Sequence, residues 1–173
     1  MIEGKNKDKK WIIDPIDGTF NFLNGLPHFA ISIGYEDNGE IICGIIFDPI
    51  KNEMFYAEKN NGSYLNNKRI RVSKKQDINK CLFATNGEKF KNTKLHNRKS
   101  GSAALDMAYV AAGRYDGYFQ ENLNLWDIAA GLILVKEAGA ILNEIDLARN
   151  ENLEIIASSP NINEKMLEKL GKF

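Results

Sequence analysis

The sequence predicts a layered α/β sandwich, with an antiparallel sheet in the first part of the chain and alternating strands and helices in the second. Three observations carry this. From Trp11 to about Ser73, short β-rich runs are separated by turn residues. Beyond Ser73 the pattern alternates between strand and helix. The two central helical stretches are apolar nearly all round, which calls for burial between layers. The 173 residues are enough to bury ~68–70% of the unfolded surface. The expected division is an antiparallel part over 1–75 and an α/β part over 76–173, combined in one globular unit.

In the antiparallel part the runs are WII, HFAISIGY, EIICGIIF, EMFYAE and RIRV. Asp37-Asn38-Gly39, Asn60-Asn61-Gly62 and Asn66-Asn67 lie between them and tolerate positive φ, so each predicts a hairpin turn. The second part reads as strand CLFAT, helix SAALDMAYVAAG, strand RYDGYFQ, helix WDIAAGLILVKEAG, strands AILN and LEIIASS, and a last helix from about Pro160. Ser159 and Pro160 make an N-cap and N1 pair, and Gly113 and Gly139 stand where C-caps are expected.

Charge excludes several partners. With 23 Lys+Arg against 23 Asp+Glu the chain carries no net basic charge to attract nucleic acid or an anionic membrane. No apolar run approaches the ~20 residues that span a bilayer. Cys43 and Cys81 have neither CxxC nor Cys/His spacing, which predicts two reduced, half-buried thiols in a cytoplasmic protein. The lead MIEGKNKDKKW is charged, but no apolar h-region follows it. Eleven basic residues lie between Lys68 and Lys99 against Asp77 and Glu88. Only Phe83 and Phe90 could stack on bases there, so the stretch reads as a solvated, Lys-rich face.

The densest chemistry is in WIIDPIDGTFNF, residues 11–22. Pro15 pushes Asp14 towards extended geometry, and the chain is expected to turn at Pro15-Ile16-Asp17-Gly18 into a short helix. Asp14, Asp17 and the Ile16 carbonyl then face one space, and such hard oxygen donors suit Mg²⁺. Two carboxylates this close repel each other unless a cation joins them. The amides of Gly18 and Thr19 open the helix, where unpaired donors favour an anion. Asp127 in LWDIAAGLILV starts a buried helix, and taken by itself it reads as an ordinary first-turn acid.

Taken together, WIIDPIDGTFNF, GSAALDMAYVAAGRYDGYF and LWDIAAG, in this order, closely resemble the inositol monophosphatase family. This family belongs to the lithium-sensitive, Mg²⁺-dependent phosphatases that include fructose-1,6-bisphosphatases and bisphosphate nucleotidases, and the bacterial extragenic-suppressor branch looks nearest. The resemblance implies that Asp14, Asp17 and Asp127 are metal ligands, with the Ile16 carbonyl as a further one. Gly18 and Thr19 match the phosphate-binding amides, and the Thr19 hydroxyl matches the group that orients the attacking water. Gly101, Ser102 and Ala103 match the segment along the substrate hydroxyls. Gln120 stands where many members carry a Glu that bonds an inositol hydroxyl. The amide loses charge-assisted strength, so inositol preference does not carry over.

The family also carries helices and a metal-binding glutamate upstream of the first motif, whereas the only acids upstream here are Glu3 and Asp8. The resemblance therefore implies an N-terminally truncated member lacking the N-terminal helices. Its activity is expected to be impaired, and an uncovered apolar sheet face is expected to drive homodimerisation or capture of an N-terminal complementing chain. The implied function is hydrolysis of a small phosphorylated polyol or sugar by metal-activated water. Two alternatives stand beside it: a bisphosphate nucleotidase or fructose bisphosphatase, and a non-catalytic partner of transcription or ribosome-assembly machinery.

Overall fold

Six strands in sequential order form the first sheet, each antiparallel to the next: β1 (Lys9–Asp17), β2 (Ala30–Asp37), β3 (Glu40–Asp48), β4 (Glu53–Glu58), β5 (Gly62–Leu65) and β6 (Lys68–Ile70). The structure, a computed structural model, describes residues 8–86 and 94–172. The charged lead up to Lys7, with Glu3, and Glu88, Lys89, Phe90 and Lys91 of the basic stretch lie outside the described residues. Each expected hairpin turn is present. Asn38 and Gly39 have φ of 52° and 79°, Asn60 and Gly62 66° and 89°, and Asn66 and Asn67 44° and 65°. These are left-handed conformations that Asn and Gly adopt at low cost.

The second sheet has the order β10 (Ile141–Leu142), β11 (Leu153–Ser158), β9 (Gly117–Leu123), β7 (Leu82–Thr85), β8 (His96–Arg98). β7 runs parallel to β8 and β9, and the remaining pairs are antiparallel. Between the sheets lie α2 (Ala103–Ala111), buried at every position, and α3 (Leu125–Glu137), which packs across β1 to β5 and against α2. A short helix α1 (Thr19–Leu23) follows β1. Beyond the second sheet, α4 (Asn163–Leu170) covers Phe83, Phe119 and Ile156 with Met166 and Leu170. A 3₁₀ turn over Pro160–Ile162, with Ser159 at its N-cap, leads into α4.

Four details differ from the sequence expectation. β1 does not turn at Pro15 but continues to Asp17, with a register shift between Asp14 and Asp17. An edge strand tolerates the missing N–H of Pro15 and absorbs the extra residue as a bulge, leaving Gly18 alone to make the turn at φ 85°. β5 was hidden by its Gly-Ser start, and it is tied down when the Ser63 hydroxyl donates to the Leu134 carbonyl at 2.6 Å. β8 is a polar three-residue edge strand with no apolar alternation to reveal it. Cys81 is fully buried rather than half-buried.

The outer face of the first sheet carries Trp11, Ile13, Ile31, Ile45 and Met54, all exposed, with Trp11 at 65%. Register places Ile13, Ile33 and Ile45 in one row across three strands. Trp11 packs on Tyr35, and Tyr56 stacks on Tyr64, with ring centroids 4.7 and 5.1 Å apart. An apolar surface of this continuity is expected to self-associate in water. Replacing both Ile13 and Ile45 by Asp should lower the sedimentation-derived mass and the binding of an apolar dye. A wild-type chain that sediments as a monomer and binds no dye would contradict the expectation. Among the described residues no helix is long and apolar enough to cross a membrane.

Candidate metal centre

The end of β1 and the start of α3 bring three acids together. Asp14 and Asp17 flank the bulge, and Asp127 occupies the third position of α3. A carboxylate oxygen from each lies within 4.8 Å of the others. Asp127 reached this place as a helix-capping acid, since its Oδ2 accepts the Asn124 backbone N–H at 2.7 Å. Asp14 Oδ1 accepts the Ile16 N–H at 3.0 Å, which bridges the bulge. The Ile16 carbonyl accepts the Thr19 hydroxyl at 2.8 Å, so these two groups are joined as one unit.

Electrostatics identify a site in need of positive charge. Burial raises the Asp17 carboxyl to about 7; the Ser102 hydroxyl opposes this, and the charges on Asp14 and Asp127 add to it. Burial likewise raises Asp14 and Asp127, against hydrogen bonds from the Ile16 and Asn124 amides respectively. All the donors are hard oxygens, and three carboxylates so placed fit a small divalent cation better than they fit each other. No fourth carboxylate joins them among the described residues.

The segment Gly101–Ala103 abuts this cluster. A Cβ on Gly18 would stand 3.1 Å from the His28 carbonyl and 3.3 Å from that of Gly101, and Gly18 also needs its positive φ. Asn21 clamps the two parts by donating to the carbonyls of His28 at 2.7 Å and Ser100 at 2.9 Å. Ser102 and Ala104 both donate to Asp17. Gln120 sits on β9, where its Oε1 accepts the Tyr118 hydroxyl at 2.6 Å and the Asn86 amide at 2.9 Å. The Tyr118 phenol is pushed well above its ordinary value by burial and by the charges of Asp106, Asp17 and Asp127.

Sequence reasoning missed the Asn21 clamp, the Ser102 link and Asp106. The Asn124-x-x-Asp127 spacing was a legible capping signal; the others join residues far apart in sequence. Asp106, fully buried in α2, is raised to about 8 by burial, with the Ser100 hydroxyl opposing and the Asp17 charge adding. An acid raised on folding favours the folded state below its ordinary 3.8, and that advantage is lost as pH rises towards 8. Asp106→Asn should therefore gain thermal stability over wild type progressively from acid to mildly alkaline pH. A difference in melting temperature that does not vary with pH would refute this.

The nine described basic residues of the 68–99 stretch are all exposed, and Lys75 pairs with Asp116 at 2.9 Å.

Comparison with known proteins places this geometry in context. Residues 1–172 match the inositol monophosphatase family. A relative named Nus factor SuhB, from Haemophilus influenzae, is 43% identical over 188 residues, covering 98% of this chain and 70% of the relative. One named inositol-1-monophosphatase, from Caulobacter vibrioides, is 36% identical over 192 residues, covering 98% and 74%. Among solved structures, the extragenic suppressor protein suhB from Bartonella henselae superposes with a TM-score of 0.91 at 39% identity, over 99% of this chain and 76% of that one. An IMPase from Thermotoga maritima superposes at 0.89 and 39%, over 97% and 70%.

Proposed function

Because this chain belongs to the inositol monophosphatase family, we propose that it is a cytoplasmic, Mg²⁺-dependent hydrolase of a small phosphorylated polyol or sugar. The observation that carries the proposal is the convergence of Asp14, Asp17 and Asp127 to within 4.8 Å despite their mutual repulsion. In this reading the three carboxylates and the Ile16 carbonyl hold the ion. Bound there, Mg²⁺ supplies Lewis-acid stabilisation of phosphoryl charge and lowers the pKa of coordinated water.

The chain's own groups do the rest. The amides of Gly18 and Thr19 receive the phosphate. The Thr19 hydroxyl has one proton, now spent on the Ile16 carbonyl at 2.8 Å, so its lone pairs remain to accept a proton from water and orient it. Asp14, half-buried and raised by that burial, is the carboxylate best suited to assist this water. Gly101, Ser102 and Ala103 line the alcohol half of the substrate. Gln120 offers its amide N–H₂, because its carbonyl already accepts two hydrogen bonds. That favours a substrate acceptor over an inositol hydroxyl proton and supports testing bisphosphates as well.

Phosphate release should be measured on inositol 1-phosphate, fructose 1,6-bisphosphate and a nucleoside 3′,5′-bisphosphate, with Mg²⁺, with chelator and with Li⁺. Chelator-sensitive, Li⁺-inhibited release on one of them is the expected result. A folded chain that neither binds Mn²⁺ nor releases phosphate from any of them would overturn the proposal.

A second reading is favoured by the relatives named Nus factor: a non-catalytic binding role, with the exposed basic stretch as contact. Pull-down with Asp14→Asn separates the two, since a partner retained after loss of the metal site supports the binding role.

A further inference from the structure

Asp17 is the most buried of the three acids, 5% exposed, and its two oxygens are not equivalent. Oδ2 accepts the Ser102 hydroxyl and, at 3.1 Å, the Ala104 backbone N–H. A carboxylate oxygen has two in-plane lone pairs, so Oδ2 is filled and Oδ1 is the atom left for the cluster. Ser102 is itself fixed. Its Oγ accepts the Leu105 N–H at 3.3 Å as the N-cap of α2, and its N–H donates to the Ser100 hydroxyl at 3.1 Å. With Oγ already accepting at Leu105, its single proton is directed at Asp17.

Capping alone does not require this residue. Asp, Asn or Gly serve at an N-cap too, and Asp would set a further charge against Asp17. A hydroxyl accepts from the helix and donates to the carboxylate with one atom.

We infer that Ser102 is a positioning residue: its hydroxyl locks Asp17 so that Oδ1 alone is offered to the metal, and it ties the Gly101–Ala103 segment mechanically to the metal centre. This rests on the metal-dependent reading above. A displacement of that segment is then transmitted to Asp17 through the Ser102 hydroxyl, beside the Ala104 N–H, which couples occupancy of the alcohol side to the geometry of the ion.

The test is Mn²⁺ titration of the full chain, followed by the electron paramagnetic resonance signal of free Mn²⁺, on wild type, Ser102→Ala, Ser102→Gly and Ser102→Thr. Melting in chelator reports the cap separately. Glycine at an N-cap costs only a few tenths of a kcal/mol, so Ser102→Gly stays folded if the alanine variant does not. The expected result is Mn²⁺ affinity weakened about 10–100-fold in the Gly and Ala variants, the usual cost of losing a hydrogen bond behind a ligand. The Thr variant, which keeps the hydroxyl, should bind close to wild type. Wild-type affinity in folded Ser102→Gly would overturn the inference and leave the metal site standing. A Thr variant as weak as the Gly variant would overturn it too. A folded wild type that binds no Mn²⁺ would overturn both this and the metal-dependent reading.

Discussion

Asp17→Asn is expected to abolish Mn²⁺ binding and, in chelator at mildly alkaline pH, to melt at a higher temperature than the wild type. The two effects have one cause. Asparagine keeps the shape and an acceptor for Ser102 and Ala104, so it removes charge with little change in packing. Without metal that charge is a burden: burial, together with Asp14 and Asp127, raises the Asp17 carboxyl from 3.8 to about 7. The folded state thus holds a proton that the unfolded chain releases, and stability contributed at acid pH is lost as pH climbs from about 4 to about 7. The upper bound on the gain from removing it is about 4 kcal/mol above that window. With metal the wild type recovers stability. A site filled at a hundredfold excess over its Kd adds about 2.7 kcal/mol, roughly 5–10 °C for a chain of this size, and the variant forfeits it. Mn²⁺ should therefore raise the melting temperature of the wild type and leave that of the variant unchanged. A variant stabilised by Mn²⁺ as strongly as the wild type would exclude Asp17 from the site. Asp106→Asn is the contrast, because its gain should persist when Mn²⁺ is present.

What the sequence made legible divides along the distance over which each signal acts. Asn38-Gly39 and Asn66-Asn67 encode their turns in adjacent residues, and the structure has them. Helices α2 and α3 advertised their burial because apolar side chains occupy nearly every face, and they lie between the sheets. Asp14 and Asp17 could be paired from Pro15 and Gly18 alone. Asp127 could not. Its spacing suits any first-turn acid, and only the resemblance joined it to the other two. The Pro15–Gly18 turn failed as an expectation because pairing of Asp14 with Ser32 and of Asp17 with Ala30 holds both ends of the bulge in the sheet. Ser102 and Asp17 are separated by 85 residues, and no local pattern announces a hydroxyl that serves a helix and a carboxylate together. Backbone signals are local, whereas the chemistry of the site is assembled across the two halves of the sandwich.

Gly44→Ala is expected to destabilise the fold by about 2–3 kcal/mol, near the upper end for overpacking by one methyl group. A Cβ at this position in β3 would stand 2.7 Å from the Ala130 carbonyl oxygen and 2.8 Å from both Ala130 Cα and Ile133 Cγ2. Two of those atoms are backbone of α3, which cannot swing aside as a flexible side chain would. Gly34, its registered neighbour on β2, would meet the Ala129 Cβ at 2.9 Å. The two glycines and Ala129-Ala130 thus let helix and sheet approach more closely than ordinary side chains permit. Gly34→Ala, whose nearest contact is a methyl group, should cost less than Gly44→Ala. Relief requires α3 to move away from the sheet by a few tenths of an ångström, and Asp127 sits on its first turn while Asp14 and Asp17 stay on β1. Gly44→Ala should therefore weaken Mn²⁺ binding although it touches no acid. Urea denaturation gives the stability and Mn²⁺ titration the affinity. Equal stability of Gly44→Ala and wild type would mean the layers have slack, and unchanged affinity in a destabilised variant would mean that α3 pivots about its first turn.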